Sequence, residues 1–135
     1  MAGVTGVDRH LRRLTERAKA VRREVGKAVA AAAELVAAEA VASITAGWIS
    51  GPDHVPSSPG EPPNADTGRL HGAIDVVRRG ELTADVVSAA PYAADLEFGT
   101  ARVAARPYLR PATAKKRQDA VALIVQAVRR GRAGE

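Results

Sequence analysis

Apolar residues recur every three or four positions along the first third of the chain: Leu11, Leu14, Ala18, Val21, Val25, Val29, Ala32, Val36, Ala40 and Ile44. That is the repeat of one helical face, and it predicts a helix over residues 8–48. Thr5 or Asp8 can open it, and Gly47, Gly51 and Pro52 can close it. Inside it, Gly26 is where a kink or break is expected. A straight helix of roughly 40 residues is about 60 Å long, whereas a compact domain of this size has a radius of gyration of roughly 14 Å. The helix therefore either folds back near Gly26 or sends one half out of its own subunit to lie on another. Its halves differ: the first carries Arg12, Arg13, Arg17, Lys19, Arg22 and Arg23, and the second, from Ala28 to Ala42, is alanine-rich and suited to close packing. The basic half reads equally as a solvated amphipathic face or as a partner-binding one.

The helical period then stops. Residues 50–66 contain Pro56, Pro59, Pro62 and Pro63 among serines and glycines, a composition that predicts an extended arm. Prolines lower the entropy lost when such an arm is laid against a surface. Beyond Asp66 or Thr67, which can cap a turn of helix through Leu70, the period changes to two. Ile74 and Val76 alternate with Asp75 and Val77, Gly80 supplies a turn, and Leu82, Ala84 and Val86 continue on the far side, which predicts a β-hairpin. Tyr92, Ala93, Ala94 and Leu96 form a helical turn that Gly99 can close. Pro107 and Pro111 bracket Tyr108 and Leu109 ahead of a last helix over residues 112–131, whose apolar stripe is Val121, Ile124, Val125 and Val128. Arg129, Arg130 and Arg132 sit at the negative end of its dipole. The whole, residues 1–135, reads as one α+β domain: long helix, extended arm, small antiparallel hairpin, C-terminal helix.

Composition sharpens this in one respect. Of the 135 residues 46% are hydrophobic but only 3% aromatic, and much of the apolar content is alanine. Alanine gains little on burial, so a lone subunit has a thin core and support from neighbouring copies is expected. Without cysteine there is no disulfide framework, thiolate metal site or cysteine nucleophile. The first residues lack the apolar run of a signal peptide, and Glu34 and Glu39 interrupt the alanine-rich stretch, so no membrane partner is expected. The formal net charge of +5 suits nucleic acid as well as a plain solvated surface.

Chemistry-bearing residues are sparse. His10, His54 and His71 have no second histidine at ligand spacing. Asp53 and His54 lie near Ser57 and Ser58, but a proline-rich arm offers neither the fixed turn nor the oxyanion hole that a serine nucleophile needs. No glycine-rich loop follows a strand, so no phosphate cofactor is expected. Enzymatic activity is not expected.

The run S-x-P-G-E-P-P from Ser57, D-T-G-x-L from Asp66, the hairpin, Y-A-x-x-L-E-F-G-T from Tyr92 and R-P-Y-L-x-P-A from Arg106 resemble, in that order, the small head-tail joining proteins (neck or tail components) of long-tailed bacteriophages. The likeness spans roughly Ser57 to Ala112, and the flanking helices fit the same plan. Gly72-Ala73-Ile74 stands where such proteins commonly have a Ser-Ile pair, and Tyr108 where phenylalanine is frequent. The resemblance implies a non-enzymatic virion protein built into a ring-shaped neck between capsid portal and tail, or into a ring that terminates the tail. It implies a homo-oligomer, with six copies the expected number, and contacts with other neck, portal-adaptor and tail proteins. Assembly in the host cytoplasm and residence in the virion follow. Transient contact with genomic DNA in the channel is among the contacts it implies, and a sequence-nonspecific basic DNA-binding protein is the reading from another class.

The motif residues carried over are Pro59, Gly60, Glu61, Pro62, Pro63, Asp66, Gly68, Leu70, Tyr92, Glu97, Phe98, Gly99, Thr100, Arg106, Pro107 and Pro111. Their chemistry suggests structural work. Glu97 is expected to accept a charge-assisted hydrogen bond from Arg106 and fix the path into the last helix. Tyr92 and Phe98 are expected in the core, and Gly68 and Gly99 at backbone angles that side chains disfavour. The proline-rich segment is expected to run as a stiff arm over an adjacent subunit.

Overall fold

The computed structural model describes residues 5–46, 53–64 and 68–133. Helix α1 runs over Thr5–Thr45, 41 residues without interruption. A one-turn helix α2 (Arg69–Gly72) leads into strands β1 (Ile74–Gly80) and β2 (Thr83–Ser88), then come α3 (Ala93–Phe98) and α4 (Leu109–Ala133). The architecture is α+β, as the change of period predicts. The expected helix terminators Gly47, Gly51 and Pro52 and the capping candidates Asp66 and Thr67 lie outside the described residues.

The two long helices are antiparallel, which two ion pairs at matching separations make plain. Glu39 meets Lys115 Nζ at 2.6 Å, and fifteen residues back along α1 Glu24 meets Arg130 Nε at 3.4 Å. Between these rails the backbones come close enough that a Cβ on Gly131 would lie 2.9 Å from Val21 N. Small residues make that approach possible. Among the described residues, eight of the eleven buried apolar side chains are alanines, including Ala28, Ala32, Ala40, Ala112 and Ala127. By length and composition alone α1 is apolar enough to cross a membrane; its alanines Ala28, Ala32, Ala33, Ala37 and Ala40 are buried where it packs on α4 and the hairpin.

Gly26 does not break the helix. A Cβ at this position would sit 2.7 Å from the carbonyl oxygen of Glu81, in the turn of the hairpin, so the glycine lets that turn rest on the helix, with Arg22 pairing to Glu81 beside it. Gly26→Ala should gain about 1 kcal/mol of helix propensity and lose more to overpacking, which typically costs about 1–3 kcal/mol. A net destabilisation of about 1 kcal/mol in urea unfolding is expected; a stabilised variant would show that the turn moves freely.

The hairpin pairs Ile74 with Ser88 through Gly80 with Thr83, with a register shift between Arg78 and Gly80. Gly80 ends the strand instead of forming the turn, which is made by Glu81 and Leu82, and Gly80 has no positive φ. Two strands alone would be marginal, and these lie on α1. The core closes at the far end of α1, where Ile44 and Tyr108 are fully buried with Ala40, Leu70, Ala90 and Ala112. At the other end residues 6–19 are all exposed, since α4 ends near Val21. About 13 Å of α1, residues 6–14, therefore projects beyond the rest of the fold, which resolves the length mismatch without a fold-back.

Candidate functional site

Most of the motif residues gather at the Tyr108 end of the molecule, and Glu97 is their hub. Helix α4 starts with free backbone N–H groups, as every helix does, and the preceding residues Arg106, Pro107 and Tyr108 offer no short polar side chain to cap it. Glu97, 4% exposed, supplies the acceptor from across the chain. Its Oε2 accepts from Tyr108 N at 2.8 Å and Leu109 N at 3.0 Å, and its Oε1 accepts from Arg110 N at 2.8 Å. Arg110 adds its Nε to Oε1 at 3.3 Å and donates Nη2 to the Glu97 carbonyl at 3.0 Å. Burial pushes the Glu97 carboxyl upward, but the three backbone N–H groups and Arg110 outweigh it and hold the group below its ordinary range.

The expected Glu97–Arg106 pair is therefore replaced. Arg106 is turned to the proline-rich segment, donating Nε to Ser57 O at 3.1 Å, while its backbone N–H donates to Leu96 O at 2.6 Å. The reason is positional: the amide groups that a buried carboxylate satisfies best belong to the helix start, and Arg106 lies before it. The aromatic expectation also needs correction. Phe98 is 67% exposed and Tyr92 37% exposed, while Tyr108 is fully buried. On the short α3 the inward side is taken by Ala93, Leu96 and Glu97, and Phe98, two positions beyond Leu96, points roughly the opposite way from it. Phe98 instead lies under Arg110, whose Cζ is 4.8 Å from the ring centroid. Tyr108 donates its hydroxyl to Ser88 Oγ at 2.9 Å, and desolvation raises its pKa.

The proline-rich segment is extended but folded onto its own subunit. Gly60 N donates to Ala105 O at 2.8 Å, Arg106 holds Ser57, and Pro63 is buried. Pro59, Gly60 and Glu61 are exposed and Pro62 is half-buried. Backbone groups of the loop before α4 capture the segment because it passes within hydrogen-bonding reach, a long-range pairing that composition does not reveal. Gly68 and Gly99 have φ of 84° and 76°, and Leu70 is in the core. Thr100 turns the loop by accepting from Arg102 N and Val103 N through Oγ1. Pro107 and Pro111 flank the capped helix start, and Asp66 lies outside the described residues.

Between segment and α3 is a hollow of about 510 Å³ lined by His54, Arg69, His71, Tyr92 and Arg106. His54 and His71 are already engaged by other groups, and the described residues contain no cluster of three metal-binding side chains. What the geometry does chemically is fasten: one buried carboxylate joins α3 to α4, and one arginine joins the loop between them to the proline-rich segment.

Residues 8–99, more than half of the chain, match the family HK97-gp10-like, described as "Bacteriophage HK97-gp10, putative tail-component". The match takes in α1, the proline-rich segment, the hairpin and α3, and ends at Gly99, short of the R-P-Y-L-x-P-A run. No curated protein and no solved structure matches the chain.

Proposed function

We propose a role in the joint between phage head and tail, from the premise that this chain belongs to the HK97-gp10-like family of bacteriophage tail components. The family makes it a structural protein of the phage particle that works beside other tail proteins. The finer reading is that it forms part of a ring-shaped neck connector of identical copies, six by the expected symmetry, between the capsid portal and the tail, with no catalytic step of its own.

The observation that carries this reading is the character of the motif end. Its internal bonds are used to hold Phe98, 67% exposed, and the neighbouring loop residue Val103, 43% exposed, in fixed positions on the outside, and Val55 of the proline-rich segment is 57% exposed. Apolar side chains displayed on a well-fastened frame suit burial against another subunit, and the alanine-dominated core leaves a lone copy short of apolar burial. The segment then contributes its outer edge, Pro59, Gly60 and Glu61, to the contact while its inner edge stays on its own subunit. A ring follows if the contact is heterologous and its rotation closes.

A nonsense mutation in the gene tests it. Electron microscopy of the lysate should show DNA-filled heads and finished tails that remain separate. Tails of irregular length beside normal heads would move the protein to the tail-terminating ring, and normal joined particles would overturn the proposal.

A further inference from the structure

The structure leaves one long apolar face uncovered, and it is not at the motif end. Val7, Leu11 and Leu14, between 47% and 54% exposed, lie on the free end of α1. The same face continues at helical spacing through Ala18, Val25, Val29 and Val36, a line about 43 Å long at 1.5 Å per residue. For its inner half it forms the floor of a trough. One wall is the hairpin, with Leu82 and Val86; the other is α4, with Ile124 and Val128. Two hollows of about 550 and 590 Å³ follow one another along this trough. Val121 (53%) and Val125 (41%), on the α4 stripe beside the wall, are exposed as well.

Charge decides what fits. The cations that line the hollows around the free end are Arg17, Lys19, Arg22, Arg129 and Arg132; Lys19 and Arg22 are paired with Glu16 and Glu81, and the one carboxylate in the lining is Asp85, further along. Asp85 is itself bonded to Arg79. Arg17, Arg129 and Arg132 have no carboxylate partner among the described residues. A second copy offering its own free end, where Arg9, Arg12, Arg13, Arg17 and Lys19 outnumber Asp8 and Glu16, would set a net positive helix against the unpaired Arg129 and Arg132, a like-charge contact in a partly desolvated trough. DNA would satisfy the arginines but leave the line of valines and leucines uncovered, since phosphate contacts use charge and not apolar surface.

We infer that this face of α1, with the trough between the hairpin and α4, is the docking site for an amphipathic helix of a different protein, apolar on one side and flanked by Asp and Glu. This is the helix-in-groove mode, in which residues at i, i+3, i+4 and i+7 anchor and the flanking charges set partner choice. The inference is independent of ring formation, because the trough and the motif end use different residues.

The test uses the purified full chain and two 22-residue synthetic peptides with one leucine face, one with glutamates on its flanks and one with lysines. In fluorescence anisotropy the glutamate peptide should bind at least tenfold tighter than the lysine peptide, and several-fold more weakly at 500 mM than at 50 mM salt. Leu11→Glu, on a residue 54% exposed at the free end, should weaken binding about tenfold while leaving the thermal melt unchanged. Phe98→Ser, at the motif end, should leave peptide binding intact, which separates failure here from failure of the neck assignment. Equal binding of the two peptides, or none, would overturn the inference. So would sedimentation showing that wild type self-associates through Leu11, or a 20-base-pair duplex that binds more tightly than the glutamate peptide and ignores Leu11→Glu.

Discussion

Glu97→Ala should cost about 3–4 kcal/mol of folding free energy, a large part of the roughly 5–15 kcal/mol that a domain has. The substitution removes the acceptor for three backbone N–H groups at the start of α4, all beside a fully buried tyrosine. Each hydrogen bond to a charged group is worth about 1.5–3 kcal/mol, and a buried donor left unpaired costs about 1–3 kcal/mol. The terms overlap, so the total is less than their sum. In thermal melts followed by helix signal, the drop should be roughly 10 °C. Arg110→Ala supplies the contrast. Its side chain is 62% exposed, so losing it should cost about 1 kcal/mol or less. Equal losses for the two would mean that the ion pair, and not the helix cap, joins α3 to α4.

The same carboxylate gives the pH dependence its sign. Its folded-state pKa lies below the ordinary value of 4.5, so the unfolded chain binds the proton more readily than the folded one. The stabilisation is complete above the unfolded value and is lost as pH falls through the folded one. Wild type and Glu97→Gln should therefore differ most at neutral pH, and the gap should begin to close as pH falls below the ordinary carboxylate value of about 4.3. A gap that stays constant down to pH 3 would assign the loss to packing.

What the amino-acid pattern could and could not reveal follows from the range of the forces involved. The helical face of α1, the alternation in the hairpin and the stripe of α4 are local periodicities, set by how backbone geometry presents neighbouring side chains, and each is legible without the fold. Glu97 works differently: its partners lie 11 to 13 residues on and meet it only once the loop has closed. One clue was available, because a helix preceded by Arg-Pro-Tyr has no side chain of its own to cap it, so an acceptor had to come from elsewhere. Gly26 shows the opposite error. A glycine within a helical run suggests weakness in the helix, yet its phase matches the face of Ala33, Ala37 and Ala40, and there the missing Cβ makes room for the hairpin turn. Phe98 misled because aromatic residues usually go inside; on the short α3 the inward side is taken by Ala93, Leu96 and Glu97, which leaves Phe98 outside. The hold of the loop on the proline-rich segment is a backbone-to-backbone and arginine-to-backbone matter, and side-chain identity says little about it.

Gly99→Ala should be the second costly substitution, at about 3 kcal/mol, for two reasons. Gly99 has φ 76° and ψ 171°, a region that essentially glycine alone occupies, and forcing a side chain there costs on the order of 1–3 kcal/mol. Beyond that, its Cβ would stand 2.8 Å from Ala105 N and 3.0 Å from Val103 O. Both are backbone atoms in the loop that ends in Arg106 and the capped start of α4, so relief would require moving the chain that Glu97 and Ser57 hold. Overpacking of this kind adds about 1–3 kcal/mol. Gly60 supplies a positive-φ comparison without the clash: its φ is 86°, and nothing lies within 4 Å of its would-be Cβ. Gly60→Ala should therefore cost only about 1–2 kcal/mol, and the excess for Gly99→Ala in urea unfolding combines the strain of its ψ with the clamping of the loop against α3. If the two variants lose the same amount, the loop yields at little cost, and the frame that presents Phe98 at the assembly surface is softer than its hydrogen bonds suggest.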